Sequence, residues 1–244
     1  MRESALDRDT ATRLAATEYA RFVELLRGLD PVDWERPTNC PPWDVRAMAA
    51  HVLGMAEFAA SMREMTRQTA KFVVRARRQR VSPLDAQTGL QVDEHADWSP
   101  QRITEAIAAI APKAVAGRRR MWKLMGRLPI PFKQEPGPEV WTFGFLAGTI
   151  FTRDVWTHRA DIVAATGAAH HLTSDHDGVL VADLVAEWAA RHAQPFDLTL
   201  SGPAGGHWKA GTDGEQLTLD AVEFWRALSG RAPAEGLLRT SAAF

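Results

Sequence analysis

Two histidines and one aspartate in this 244-residue sequence have the types and spacing that chemistry needs. Asp154 and His158 are four residues apart, so on a helix they project from one face. Phe151, Ile162 and Ala165 fall on the same face, which makes it the inward one. An ionised carboxylate and an imidazole on a core-facing line are costly to bury unless something satisfies them. His51 lies beside another apolar line, between Met48 and Met55. Where two such helices meet, two imidazoles and a carboxylate surround one point. That set offers nitrogen and oxygen lone pairs to a divalent metal and leaves positions open for water or substrate, a Lewis-acid site. The spacing fits equally an Asp–His hydrogen bond within one helix and an unrelated interfacial His51, and periodicity does not decide between them.

The elements that would position these residues can be read from the apolar periods. Ala15, Tyr19, Phe22, Leu26 and Leu29 recur at helical spacing, and Asp30-Pro31 ends that helix. Asp44 can cap a second helix with the apolar line Val45, Met48, Val52, Met55, Ala59 and Met62. Ser99-Pro100 opens a third, through Ile103, Ile107 and Ile110, which Pro112 should kink or split. A fourth runs from about Thr142 to Ala165 and stops at Gly167. Four helices joined by loops of mixed length argue for a bundle over 1–170. Beyond it, Thr173 or Ser174 should cap a helix with Asp175 and Asp177 in its first turn. The period then changes to two: Phe196, Leu198 and Leu200 alternate, Gly202 to Gly206 turns, and Leu217 and Leu219 alternate again before Asp220 caps a last helix. Residues 171–244 thus read as a small α+β domain.

Several segments carry a family resemblance. Trp34 with Arg36-Pro-Thr-Asn-Cys-Pro-Pro-Trp43-Asp-Val-Arg46, closed by Ala50-His51-Val-Leu-Gly54, resembles the N-terminal signature of the mycothiol-dependent maleylpyruvate isomerase family, part of the DinB-like metalloenzyme superfamily. Phe151-Thr-Arg153-Asp154-Val-Trp156-Thr-His158-Arg159-Ala-Asp161-Ile162, followed by Ala165-Thr-Gly167, resembles its second signature, and Asp85 through Gln91-Val-Asp-Glu94 its middle region. The ending Phe224-Trp-Arg226-Ala-Leu-Ser-Gly230-Arg231 resembles the family's small C-terminal domain, related in fold to sterol carrier protein. The resemblance implies an α+β protein: a DinB-like four-helix bundle followed by a small α/β domain. It also implies that His51, Asp154 and His158 are metal ligands, with zinc first and iron, nickel or manganese as alternatives. By the same resemblance the thiol cofactor or co-substrate is mycothiol, and the reaction is isomerisation or S-conjugation of a small electrophile. The family's arginine near the substrate carboxylates would be Arg231 or Arg226. The competing expectation is a noncatalytic ligand-binding or partner-binding bundle whose metal is structural.

Other residues carry weaker signals. Arg63, Arg67, Lys71, Arg75 and Arg78 form one helical stripe, and residues 113–133 hold seven basic side chains and no acid. These are either solvated faces or a positive rim that attracts small anions. Arg159 points away from the trio and should make a salt bridge or a contact behind the ligands rather than act in catalysis, whereas Asp161, three beyond His158, could accept a hydrogen bond or buttress the site. Cys40 is expected to be a small buried thiol, and His170 and His171 to be exposed.

Composition limits the classes of function. A formal charge of −1 argues against nucleic acid or an anionic membrane as partner. That total hides 24 basic against 20 acidic residues in 1–170, and 5 against 10 beyond. One cysteine excludes an internal disulfide. Met1 to Asp9 precedes no apolar run, so a cytoplasmic protein is expected, as monomer or homodimer, whose partners are a small electrophile and a thiol.

Overall fold

The structure, a computed structural model, describes residues 1–134 and 137–244, without the side chains of 132–134. It is α+β and divides into two compact units, Met1–Ala169 and His170–Phe244.

In the first unit, the helices α1 (Arg8–Arg27), α2 (Val45–Ala60), α5 (Pro100–Met125) and α7 (Phe151–Thr166) correspond to the four apolar periods. Their inward residues, among them Phe22, Leu26, Val45, Met48, Val52, Leu53, Ile103, Ile107, Val155 and Ile162, form the core. Local signals set their ends. The Asp7 carboxylate accepts from the amides of Asp9 and Thr10, and that of Asp44 from Ala47 N at 2.7 Å. α7 stops at Gly167, whose φ of 75° is left-handed and suits glycine.

The structure differs from the sequence expectations at four places here. α5 passes through Pro112 as one 26-residue helix. Pro112 is exposed, so the carbonyl it leaves unbonded can meet water, while Ile103, Ile107, Ala114 and Met121 are buried on both sides of it. The segment before α7 is not continuous α-helix: after Thr142 come a single turn, α6 (Phe143–Phe145), and a π-helical turn, Leu146–Ile150. The stretch from Pro129, where the apolar periods predict no strand, is a hairpin with β1 (Pro129–Gln134) and β2 (Gly137–Thr142) paired antiparallel. Glu135 and Pro136 lie outside the described residues. Finally, α2 ends at Ala60, and Ser61 caps a further helix, α3 (Met62–Gln79), which therefore owns Met62.

α3 and the next helix, α4 (Pro83–Glu94), pack on one another and on α2. They explain the basic stripe. Arg67 is paired with Glu64 and with Glu94 at 2.6 Å, Lys71 with Glu94 at 2.6 Å, and Arg75 with Asp93 at 2.6 Å. Three of the five stripe residues therefore bind α3 to α4 rather than forming a rim for anions. The hydrogen bonds from Arg67, opposed by partial burial, hold Glu94 at a pKa of about 2 against an ordinary 4.5. A depressed carboxyl stabilises the fold above about pH 4.5, and that contribution disappears as pH falls toward 2. Glu94→Gln should thus cost about 1 kcal/mol at pH 7, a figure reduced for solvent screening, and progressively less below pH 4.5 in urea unfolding.

The second unit contains α8 (Asp177–His192), a sheet in the order β4-β3-β5, and α9 (Ala221–Leu228). β3 (Phe196–Ser201) pairs antiparallel with β4 (Gly206–Ala210) and parallel with β5 (Glu215–Asp220). Leu198 and Leu200 face inward beside Trp188, whose ring stands edge-on to Phe196 and Phe224 at 4.9 and 5.5 Å. Asp220 caps α9 by accepting from Val222 N at 2.8 Å. α8 starts later than its cap residues suggested. Residues 174–176 form a turn, and the buried Asp177 carboxylate accepts from Thr173 N at 2.7 Å, closing that turn.

Candidate metal centre

α2 and α7 pack side by side and bring His51, Asp154 and His158 together. His51 Nε2 and His158 Nε2 each lie 3.4 Å from the same oxygen, Asp154 Oδ1. The His51 and His158 side chains are 3 % and 8 % exposed, whereas the Asp154 side chain is 22 % exposed and is the accessible member.

The other ring nitrogens are held from behind. His51 Nδ1 is 2.8 Å from Gln91 Oε1 on α4. The direction of that bond follows from a chain of buried amides. Gln68 Nε2 on α3 donates to the Gly54 carbonyl at 3.1 Å and to Glu64 Oε1 at 3.0 Å, both of which only accept. Gln68 Oε1 therefore accepts from Gln91 Nε2 at 3.0 Å. Gln91 Oε1 is left to accept the His51 Nδ1 proton, and His51 Nε2 carries a lone pair. Both glutamines are fully buried. A Cβ on Gly54 would stand 2.5 Å from that of Gln91, so the glycine lets α4 come this close.

His158 is held in the same manner. Its Nδ1 faces Asp161 Oδ2 at 3.4 Å, and Asp161 is fully buried. The Cys40 thiol donates to that same oxygen at 3.7 Å, which places Cys40 behind the histidine and half-buried. A proton on Nδ1 leaves His158 Nε2 also presenting a lone pair. Trp43, from the turn before α2, covers the two imidazoles, with ring centres 5.0 Å from His51 and 6.1 Å from His158.

Two lone pairs thus point at one carboxylate oxygen, and Asp154 Oδ2 is buried without a hydrogen-bond partner. Such an arrangement repels itself unless a cation stands among the three groups. Without a metal, a proton on an imidazole Nε2 can supply that positive charge, and the pairing then shifts both groups. Burial alone would raise the Asp154 carboxyl, but the attraction of His51 and His158 outweighs it and holds the group below the usual range. Burial alone would lower His158, and the attraction of Asp154 raises it well above the ordinary imidazole value. The donor set of two imidazole nitrogens and a carboxylate with a spare oxygen fits a divalent metal with open positions.

The remaining residues fall elsewhere. Arg159 makes the expected salt bridge, its Nε 2.6 Å from Glu18 Oε1, with both side chains buried. Arg226 and Arg231 lie in the second unit, where Arg226 donates to the Arg231 carbonyl and Arg231 to that of Ser229. His170 is half-buried rather than exposed, and His171 is exposed. Neither residue type nor spacing marks Gln68, Gln91 or Trp43 as site residues. Gln91 and Trp43 stand inside segments that carry the family resemblance, whereas Gln68 gives no signal.

The sequence profile described as "Mycothiol maleylpyruvate isomerase N-terminal domain" matches residues 15–163. A crystal structure of the mycothiol-dependent maleylpyruvate isomerase shares the fold at a TM-score of 0.56 and 15 % identity, covering 93 % of this chain and 90 % of that one. A histidine-to-alanine mutant of the mycothiol-dependent maleylpyruvate isomerase matches at 0.55 and 14 %, with the same coverage. Comparison with curated proteins finds no match. The profile spans more than half of the chain, and the protein belongs to the mycothiol maleylpyruvate isomerase N-terminal domain family.

Proposed function

We propose that the protein is a metal-dependent enzyme that uses mycothiol to isomerise or S-conjugate a small electrophile. The observation that carries this reading is the pair of imidazole Nε2 atoms converging on Asp154 Oδ1 at 3.4 Å each, with Asp154 Oδ2 unpartnered beside them. His51, Asp154 and His158 would hold the metal. Zinc suits two nitrogens and an oxygen with an open position, and iron, nickel and manganese follow. A bound dication supplies a Lewis acid that lowers the pKa of a thiol from about 8.5, so that the thiolate is available at neutral pH.

The chain's own groups do the positioning. Gln91 and Asp161 keep both Nδ1 protons in place, Trp43 covers the imidazoles, and the exposed edge of Asp154 marks where thiol and substrate enter. In an isomerisation, the thiolate sulfur adds to a cis-alkene carbon conjugated to a carbonyl. The new single bond rotates, and elimination of the thiolate returns the trans-alkene. In a conjugation, the sulfur displaces a leaving group or opens an electrophile and stays attached. Arg226 and Arg231 are the residues that family resemblance offers for the substrate's anionic group. The reading suits the cytoplasm, where small thiols stay reduced. Among the described residues no helix is long and apolar enough to cross a membrane.

Incubation with mycothiol and a panel of electrophiles, including maleylpyruvate, tests the proposal. Thiol consumption, or cis–trans conversion at constant thiol, is expected. No turnover with any electrophile, with unfolding on chelation, would favour the noncatalytic bundle with a structural metal. Gln91→Met keeps the side-chain volume but removes the acceptor for His51 Nδ1. It should weaken zinc binding by about 10- to 100-fold in competition with a chromophoric chelator, while the helical circular dichroism stays as in the wild type.

A further inference from the structure

The proposed function leaves the basic run of residues 113–133 without a role. Within it, Arg118 is buried and its Nε donates to the Ala147 carbonyl, in the π-helical turn, at 2.8 Å. Arg119 pairs with Asp9 at 2.9 Å, and Arg120 donates to the Ala60 carbonyl at 3.4 Å. Lys123 and Arg127, at the end of α5, do neither. Together with Arg8, which opens α1, they line an open pocket of about 690 Å³ in the helical unit. All three are exposed, and none has a carboxylate partner among the described residues. Glu3 is the one acidic residue of the lining.

One wall of the pocket is apolar and fixed in place. A Cβ on Gly144 would stand 2.7 Å from Trp122 Nε1, and one on Gly148 would overlap the far edge of the same ring, so the two glycines seat the indole against the chain. The indole N–H has no acceptor among the described residues, yet it is not sealed from solvent. Leu124, 70 % exposed, adds apolar surface to the lining. A pocket of this volume accommodates a small organic molecule. Three cations against one carboxylate leave a surplus of two positive charges, and a phosphate monoester carries nearly two negative charges at pH 7. Arg and Lys are the usual donors to phosphate, and the indole N–H supplies one more. Inorganic phosphate would leave Leu124 and the Trp122 ring uncovered, whereas an apolar body attached to the phosphate would cover them.

We propose that this pocket is a second ligand site, separate from the metal centre, for a phosphate monoester with an apolar or aromatic body. Arg8, Lys123 and Arg127 take the phosphate, and Trp122 and Leu124 take the body. None of His51, Asp154 and His158 lines the pocket, so the site goes beyond the proposed function and stands whether or not the centre holds a metal.

The test titrates the full chain with 1-naphthyl phosphate, 1-naphthol and inorganic phosphate by ligand-observed NMR, as purified and after treatment with chelator. Naphthyl phosphate should bind about tenfold or more tightly than either of the other two, equally in both preparations. Lys123→Gln combined with Arg127→Gln should weaken it by about fivefold or more, because two exposed charges are lost, with the helical circular dichroism unchanged. Leu124→Asn should weaken naphthyl phosphate by about twofold or more and leave inorganic phosphate as it was. Glu3→Gln should tighten naphthyl phosphate. Naphthol binding as well as naphthyl phosphate would overturn the inference, as would inorganic phosphate doing so, or a double variant that binds like the wild type. Binding that disappears on chelation and in His51→Ala would put the phosphate on the metal, which refutes the second site and leaves the proposed function standing. Binding that depends on Lys123 and Arg127 in protein that takes up no metal would support the second site and refute the metal reading.

Discussion

His158→Ala is expected to leave the protein folded, empty of metal and inactive toward mycothiol-dependent substrates. His158 and Asp154 are the two groups that α7 would contribute to the proposed centre, and the imidazole would be one of its two nitrogen donors. Its loss leaves one imidazole and one carboxylate, too few to retain a divalent ion against a mild chelator. The effect should exceed the 10- to 100-fold weakening typical for a supporting partner, and turnover should fall by about a thousandfold or more, since Lewis-acid assistance is worth several kcal/mol. Helical content should persist, because Val155, Trp156 and Ile162 pack α7 and remain. A second trio in the same region, Cys40, His158 and Asp161, also brings possible ligand atoms together. The two arrangements predict different partners for the loss. If the proposed centre holds the metal, His51→Ala strips it and Cys40→Ser does not. The reverse pattern would move the ion to the other side of His158.

The second large effect concerns stability. Arg159 and Glu18 form an ion pair between α7 and α1, Nε to Oε1 at 2.6 Å, with the side chains 2 % and 1 % exposed. Replacing one member removes the opposite charge 2.6 Å from a buried ionic side chain. Arg159→Met or Glu18→Leu should therefore destabilise the protein by about 3–5 kcal/mol. For a unit of this size that lowers the melting temperature by roughly 10 °C in calorimetry. The double replacement Glu18→Leu with Arg159→Met should recover most of the loss, because two apolar side chains of suitable volume can fill the same space. A single variant that melts within 2 °C of the wild type, a shift worth about 1 kcal/mol at most, would show that the pair is screened despite its burial. Metal content should stay unchanged in both, since neither residue belongs to the centre.

The parts of the molecule that were legible in the sequence are those with a strong local cause. Asp44 and Gly167 mark helix ends through a side-chain cap and a left-handed backbone, and the spacing of Asp154 and His158 puts them on one face of α7. The alternation of Phe196, Leu198 and Leu200 identifies β3, and Asp220 the start of α9. What was hidden depends on tertiary contacts. The basic stripe of α3 reads either as a solvated face or as a rim for anions, since Arg67, Lys71 and Arg75 find their carboxylates on a different helix. For the same reason Gln68 and Gln91 look like ordinary surface amides, although together they fix the tautomer of His51. The β1–β2 hairpin is masked by its prolines, which usually mark the absence of a strand. Pro112 suggested a break that burial on both sides overrides. The π-helical turn before Asp154 has no signature in residue type, and it is the turn that Arg118 binds.

The proposed function requires that the chain hold a metal at His51, Asp154 and His158. Protein purified without chelator should be analysed by inductively coupled plasma mass spectrometry, beside His51→Ala and His158→Ala prepared identically. About one divalent ion per chain is expected in the wild type, with zinc foremost, and less than a tenth of that in either variant. A wild type free of metal, or variants that retain it in full, would contradict the central claim.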